Sequence, residues 1–195
     1  MDVSIAAVAI VLLLPVFVLA AVLIWLESEG PVFFRQRRVG LNAKLFPMWK
    51  FRSMRSDAAV DPHIAVAEAW FAGQDSGNGY KRDDDPRVTR VGRFLRRTSL
   101  DELPQLFNVL VGDMSLVGPR PAIPYELEFY EPWHFERQQV LPGMTGLWQV
   151  SGRHLLSAGE MMRLDVRYVR EWSLRLDFMI LSRTLPALIG RYAAA

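Results

Sequence analysis

Two adjacent carboxylates, Asp101 and Glu102, stand in the stretch Arg96-Arg97-Thr98-Ser99-Leu100-Asp101-Glu102-Leu103-Pro104-Gln105-Leu106. An aspartate is ionised at neutral pH, its ordinary pKa being about 3.9, so it needs no base to act as a nucleophile. With arginines beside it to hold a substrate's phosphates, Asp101 could attack phosphorus and form an acyl phosphate. The pair could also hold a divalent cation, Mg²⁺ being preferred where phosphates supply the other ligands. A helix start would help, because its unpaired N–H groups and positive dipole end favour anions. The same spacing has a plainer reading. Ser99 and Glu102 match a capping box, and Asp101 could cap a helix holding Pro104 in its first turn, which is the commoner use of such residues.

Composition narrows the chemistry. Among 195 residues there is no cysteine, which excludes disulfides, thiolate metal sites and a cysteine nucleophile. His63, His134 and His154 lie far apart without metal-ligand spacing. The hydrophobic share of 51% and charged share of 23% fit one ordinary folded domain and argue against disorder. The net charge of +2 hides an uneven distribution. Gly30 to Ser56 carries Arg35, Arg37, Arg38, Lys44, Lys50, Arg52 and Arg55 with no acid, and Pro86 to Ser99 adds Arg87, Arg90, Arg93, Arg96 and Arg97. Such patches attract phosphate, whether of a nucleotide, a nucleic acid or anionic lipid, unless they are simply solvated faces.

Residues that bind phosphate need elements to hold them, and the first of these is apolar. Val3 to Leu26 is interrupted only by Ser4 and Pro15, long enough to cross a hydrocarbon core of about 30 Å. The opening Met1-Asp2 is not basic and no small-residue cleavage site follows, so the segment is expected to remain rather than be removed as a signal peptide. Pro15 divides it into arms of about 16–18 Å each, half a bilayer. A kinked single span and a re-entrant hairpin therefore compete. The basic block from Arg35 onward puts the bulk of the chain on the cytoplasmic side in either case.

Beyond Gly30-Pro31, Val32-Phe33-Phe34 and Leu45–Phe51 read as extended segments. Residues 57–85 form a polar insertion with a helix over Ile64–Phe71 and a loose loop at Gly73–Gly79. Val91–Arg97 reads as a short basic helix and Leu103–Val111 as another that stops at Gly112. The prolines of Gly118-Pro119-Arg120-Pro121 make a rigid loop around one arginine. Tyr125–Val140 is expected to be helical with a break near Pro132, Pro142 to Arg153 to form a binding loop, and Ala158–Glu171 and Leu174–Ile189 to be helices. The last is apolar with Arg175, Arg183 and Arg191 along it, suited to core packing or to a place among lipid headgroups.

Phe33-Phe34-Arg35-Gln36, Lys50-Phe51-Arg52-Ser53-Met54, TSLDELPQLFNVL (Thr98 to Leu110), GDMSLVGPRP (Gly112 to Pro121), PGMTGLWQVSGR (Pro142 to Arg153) and LDVRYVREWSLRLD (Leu164 to Asp177) together resemble the bacterial sugar transferase family, the monotopic polyprenyl-phosphate phosphoglycosyl transferases. The resemblance runs from about Asp2 to Ile189. It implies a transferase that moves a sugar 1-phosphate from a UDP-sugar to polyprenyl (undecaprenyl) phosphate, giving polyprenyl diphosphate sugar and UMP. It places the catalytic dyad at Asp101 and Glu102, with Asp101 the covalent nucleophile and both residues holding Mg²⁺. Arg96 becomes a phosphate ligand, Arg120 a second phosphate or nucleotide contact, and Lys50, Arg52, Gln149 and Arg153 further motif positions that contact substrate.

The same resemblance implies a re-entrant membrane helix (residues 1–30) bent at Pro15, though Leu14 stands where serine is typical, and the usual basic residues ahead of the apolar arm are missing, as if the start were short or trimmed. The implied fold is α/β-type mixed and mostly helical: that helix, a compact cytosolic catalytic body (residues 31–195) at the bacterial inner membrane, and amphipathic interfacial helices. Expected partners are a UDP-sugar, polyprenyl phosphate and membrane lipids, with no nucleic acid and with homo-oligomerisation left open; galactose and glucose are the sugars favoured by analogy. The rival from another class is a membrane-anchored module that binds anionic lipid or nucleic acid without catalysis, which leaves the dyad without a role. A nucleotide-sugar hydrolase, with water as acceptor, is the enzymatic rival.

Overall fold

A computed structural model describes residues 1–55, 62–73, 85–152 and 156–193. It is a mostly helical mixed α/β structure with two small sheets. The apolar segment is one helix, α1 (Asp2–Glu27), with Pro15 inside it. Among the described residues it alone is long and apolar enough to cross a membrane. A stripe of Ala6, Phe17, Ala20 and Ile24 is buried against the body, while Val8, Val11, Leu12, Val18, Leu19 and Trp25 are exposed.

Both ends of α1 are tied to the body. At its start Ser115 Oγ donates to the Asp2 carboxylate at 2.5 Å. At its end the Glu27 carboxylate accepts the Arg90 and Val91 amides at 2.7–3.1 Å, and the Arg52 guanidinium donates to the Ser28 and Glu29 carbonyls at 2.6 and 2.7 Å. The last carbonyls of a helix lack intrahelical partners, so a buried cation there satisfies them and complements the negative dipole end.

Strands β1 (Phe33–Val39) and β2 (Leu45–Phe51) form an antiparallel hairpin in the register Phe33↔Phe51 to Val39↔Leu45. The connection turns through Asn42 and Ala43, both left-handed. β2 packs against α4 (Gln105–Leu110) through the apolar core, and one polar side chain fastens the two: Asn108 Oδ1 accepts the Trp49 amide at 2.9 Å while its Nδ2 donates to the Pro47 carbonyl at 2.8 Å. The side-chain amide thus substitutes for a neighbouring strand. β3 (Ser115–Val117) and β4 (Gly143–Thr145) pair in parallel. The chains touch at Gly118 and Gly143, where a Cβ on Gly143 would lie 2.0 Å from the Gly118 nitrogen, so neither position has room for a side chain.

The remaining helices are α2 (Pro62–Phe71), α3 (Arg90–Thr98), α5 (Leu147–Val150), α6 (Ala158–Arg170) and α7 (Leu174–Ala193). α2 lies within the expected insertion and buries Trp70 beside Ala158, Met161 and Met162 of α6; the expected loop tip beyond Gly73 lies outside the described residues. α6 begins with a capping box, Ser157 accepting the Glu160 amide. α7 buries Ile180 in the main core but leaves Leu174 and Phe178 exposed, so it satisfies both readings of its apolar stripe on different sides.

Tyr125–Val140 breaks at Pro132 as expected but is 3₁₀ rather than α-helical. It forms two 3₁₀ segments, Pro124–Phe129 and Pro132–Gln139, separated by extended Tyr130 and Glu131. The residue before a proline is excluded from helical geometry, which holds Glu131 extended and stops the first turn. Each proline then opens its own short segment at the N1 or N2 position.

Candidate active site

Asp101 and Glu102 occupy a 3₁₀ turn, Leu100–Glu102, between α3 and α4. Ser99 ends α3 in the left-handed conformation at φ 58°, and the chain reverses there. Asp101 is 3% exposed, whereas the Glu102 carboxylate reaches the Lys50 ammonium at 3.1 Å. The capping reading is not what forms: α4 starts at Gln105 with Pro104 as its N-cap and no side-chain cap bond, and Ser99 likewise caps nothing with its hydroxyl. The dyad therefore precedes the helix by a turn and leaves its carboxylates to other work. α4 has only six residues, so the dipole assistance expected from a helix start is small.

Arg96 lies in the last turn of α3 and is 8% exposed. Its charge is felt at Asp85, whose carboxyl is held at about 2, chiefly by hydrogen bonds from Arg87. The N-terminus of α3 is capped twice, by the Thr89 hydroxyl and in trans by Glu27, so the element that delivers Arg96 and Ser99 is fastened to α1.

Arg120 sits in the Pro119–Pro121 loop with its guanidinium on the Glu126 carboxylate at 3.2–3.3 Å. A shallow hollow beside this loop is lined by Arg120, Arg137, Val39, Pro119, Ala122 and Pro142 among others. Arg38, on β1, connects the two halves. It lies within electrostatic reach of both Arg120–Glu126 and Glu102, and burial together with the nearby Arg120 charge brings it down to about 10.

The sequence-derived site residues thus divide. Glu102 and Lys50 meet directly, Asp101 is buried next to Glu102 in the same turn, and Arg120 shares the neighbourhood of Arg38. Arg52 instead has its terminal nitrogens on the carbonyls at the end of α1. Gln149 is on α5 with a buried Oε1 that has no hydrogen-bond partner among the described residues. Arg153 lies outside the described residues. Residues that only the structure brings in are Arg38, Glu126, Arg137 and Asp165, all under 7% exposed. A glutamate three residues after Ile123 at a proline-led turn was the available signal for Glu126, since Glu at that spacing reaches back to the backbone.

Donor chemistry bears on the cation. Two carboxylates, one beside a lysine, are too few for an all-protein site, and no cluster of three acidic or histidine ligands occurs among the described residues. They do fit Mg²⁺, which takes one or two carboxylates and completes its shell with substrate phosphate and water.

The profile of bacterial sugar transferases matches residues 1–191, and the chain belongs to that family. It is 41% identical over 192 residues to the exopolysaccharide production protein ExoY of Rhizobium meliloti, covering 95% of this chain and 82% of that protein. It is 45% identical over 199 residues to the UDP-glucose:undecaprenyl-phosphate glucose-1-phosphate transferase of Caulobacter vibrioides, covering 97% of this chain and 68% of that one. It is 45% identical over 168 residues to the undecaprenyl-phosphate galactose phosphotransferase of Salmonella typhimurium, covering 86% of this chain but only 35% of that much longer protein. The chain likewise spans only 36% of the galactosyl transferase CpsE of Streptococcus agalactiae.

Proposed function

We propose that this chain transfers a sugar 1-phosphate from a UDP-sugar to undecaprenyl phosphate in exopolysaccharide or related glycan synthesis, through a covalent phosphosugar on Asp101. The observation that carries the reading is the buried Asp101 in its 3₁₀ turn, with Glu102 held by Lys50, in a chain similar over most of its length to transferases of that name. In the first step an Asp101 carboxylate oxygen attacks the sugar-bearing phosphorus. The bond from that phosphorus to the bridging oxygen breaks, and UMP leaves with the electron pair. In the second step a phosphate oxygen of the polyprenyl carrier attacks the same phosphorus, and the Asp101 carboxylate is released. Arg96 and Arg120 hold the phosphates in line. Asp101 and Glu102 would hold Mg²⁺, which when bound supplies neutralisation of the diphosphate charge.

For the membrane, a helix of 26 residues is about 39 Å long and would carry one end far from the body if it spanned a bilayer. The docking of both ends on one body argues against a span that carries Asp2 across the bilayer, so we infer that both ends lie on one face, the cytoplasmic one by the basic block that begins at Arg35. Because the chain has no cysteine, single cysteines at Asp2 and Glu29 test this directly: both should label from the cytoplasmic side only.

Mass spectrometry of enzyme mixed with UDP-sugar and no acceptor tests the mechanism. A phosphosugar on the Asp101 peptide that disappears on adding polyprenyl phosphate is expected. UMP release by an Asp101→Asn variant would refute it, and salt-sensitive lipid or nucleic-acid binding without UMP release would favour the binding module. Excess chelator should abolish turnover and Mg²⁺ restore it. A panel of UDP-sugars, with galactose and glucose expected first, identifies the donor.

A further inference from the structure

The backbone around Arg120 is held at four successive carbonyls. Pro119 accepts the Gly143 amide at 2.9 Å, Arg120 accepts Arg137 Nη2 at 2.7 Å, Pro121 accepts Arg38 Nη1 at 3.0 Å and Ala122 accepts the Val39 amide at 2.9 Å. With the backbone so fixed, the remaining freedom at this position is the Arg120 side chain, which is long and loses rotamer entropy when aimed. Glu126 removes that freedom. Both its oxygens meet the guanidinium, and Oε2 is itself fixed by the Ile123 amide at 3.1 Å. The Glu126 side chain is 1% exposed while that of Arg120 is 19% exposed, so the carboxylate grips from the buried side and the Arg120 side chain reaches toward the surface. Burial opposes ionisation of Glu126, but the Arg120 and Arg38 charges outweigh it and hold the carboxyl below its ordinary range. A buried ion pair is a poor way to add stability, since desolvation cancels most of the attraction, whereas a bidentate carboxylate–arginine contact fixes geometry.

We propose that Glu126 is a positioning residue for the transfer reaction: it aims Arg120 at the phosphate, while the Arg38 and Arg137 clamps keep the loop from moving with the side chain. This rests on the reading of Arg120 as a phosphate ligand.

The test is a cycle of wild type, Arg120→Gln, Glu126→Gln and the double variant, each with a thermal melt and with kcat and KM for UDP-sugar from UMP release. Arg120→Gln should lower kcat/KM by about a hundredfold and Glu126→Gln by about tenfold, yet Glu126→Gln should cost less than about twofold when Arg120 is already Gln. A structural role does not give that pattern, because lost packing lowers activity whichever residue stands at position 120. Should Glu126→Gln melt below the assay temperature, Glu126→Asp keeps the buried charge but draws the guanidinium back, and a several-fold loss of kcat/KM with an unchanged melt is expected. Unchanged kcat/KM in Arg120→Gln would refute the role of Arg120 itself. A normal loss there with an undiminished tenfold loss from Glu126→Gln on top of it, or wild-type kcat/KM in Glu126→Asp, would overturn the positioning role of Glu126.

Discussion

Asp101 and Glu102 are placed by backbone conformation: α3 ends at left-handed Ser99, a single 3₁₀ turn follows, and α4 begins at Gln105. The Pro119–Pro121 loop is placed by charge: Arg38, Arg137, Glu126 and Asp165 are buried around it, and side chains hold two of its carbonyls and its one guanidinium. The two arrangements suit the roles proposed for each region. A nucleophile must change its bonding during the reaction, so its position is better set by groups that do not react. An arginine that binds phosphate keeps its charge throughout and can be oriented by a permanent counter-charge. Altering the dyad should therefore separate activity from stability, and altering the network should change both.

The sharpest break of this contrast is Asp101→Asn. Size is kept and α4 does not use Asp101 as its cap, so the melt should stay within about 1 kcal/mol of wild type while UMP release falls by orders of magnitude. A variant that melts much lower would show the dyad to be structural after all.

Arg137→Met attacks the other region. It leaves Asp165, fully buried, without the cation that donates to it, and removes the donors to Tyr130 Oη and the Arg120 carbonyl. Breaking such a pair costs about 3–5 kcal/mol, or a melt lower by about 6–20 °C for a chain of this size. The measurement is calorimetry, and a change under 2 °C would mean that the network contributes little.

Asp165 also gives the network a pH signature. Burial raises its carboxyl from 3.8 to about 6, although the Arg137 charge pulls it down. Between those values the folded chain holds the proton more readily than the unfolded one, so this group's contribution to stability is present at low pH and is lost as pH rises to 6. The melting temperature of wild type minus that of Asp165→Asn should therefore fall between pH 4 and 6 and level off above. A difference that rises with pH would invert the assignment.

The smallest stability effect is expected at Lys50→Met. The Lys50 and Glu102 side chains are 19% and 30% exposed, so the pair contributes about 0–1 kcal/mol. Activity should fall by a larger factor than stability, because Glu102 loses the group that orients it. Parallel loss of the two would place Lys50 with the network rather than with the dyad.

The comparison also marks what reading along the chain could reach. Local pattern was enough for α3, α6, α7 and the position of α2, because helical periodicity and capping residues act within a few residues of one another. It placed the break of Tyr125–Val140 at Pro132, where Glu131 is held extended, but not the 3₁₀ form of the short segments on either side. The dyad and Arg120 were legible as carboxylates and an arginine in rigid or helix-edge settings. Arg52 was legible as a cation, but the carbonyls it meets come from residues 24 positions or so earlier, at the end of α1.

By itself the sequence determined the apolar helix with its central proline, the adjacent carboxylates, the proline-flanked arginine and the order of motifs that place the chain in its family. Each is a property of residue type and near spacing. Only the tertiary structure decided that β1 turns Arg38 inward while Arg35 and Arg37 stay exposed, that Glu126 meets Arg120, that Asn108 completes the edge of β2, and that both ends of α1 rest on the body. The physical reason is burial. An isolated arginine or glutamate prefers water, and whether it is buried and paired depends on which segments the fold packs over it. For Arg38 and Pro121 those partners stand 83 positions apart, beyond the reach of any local pattern.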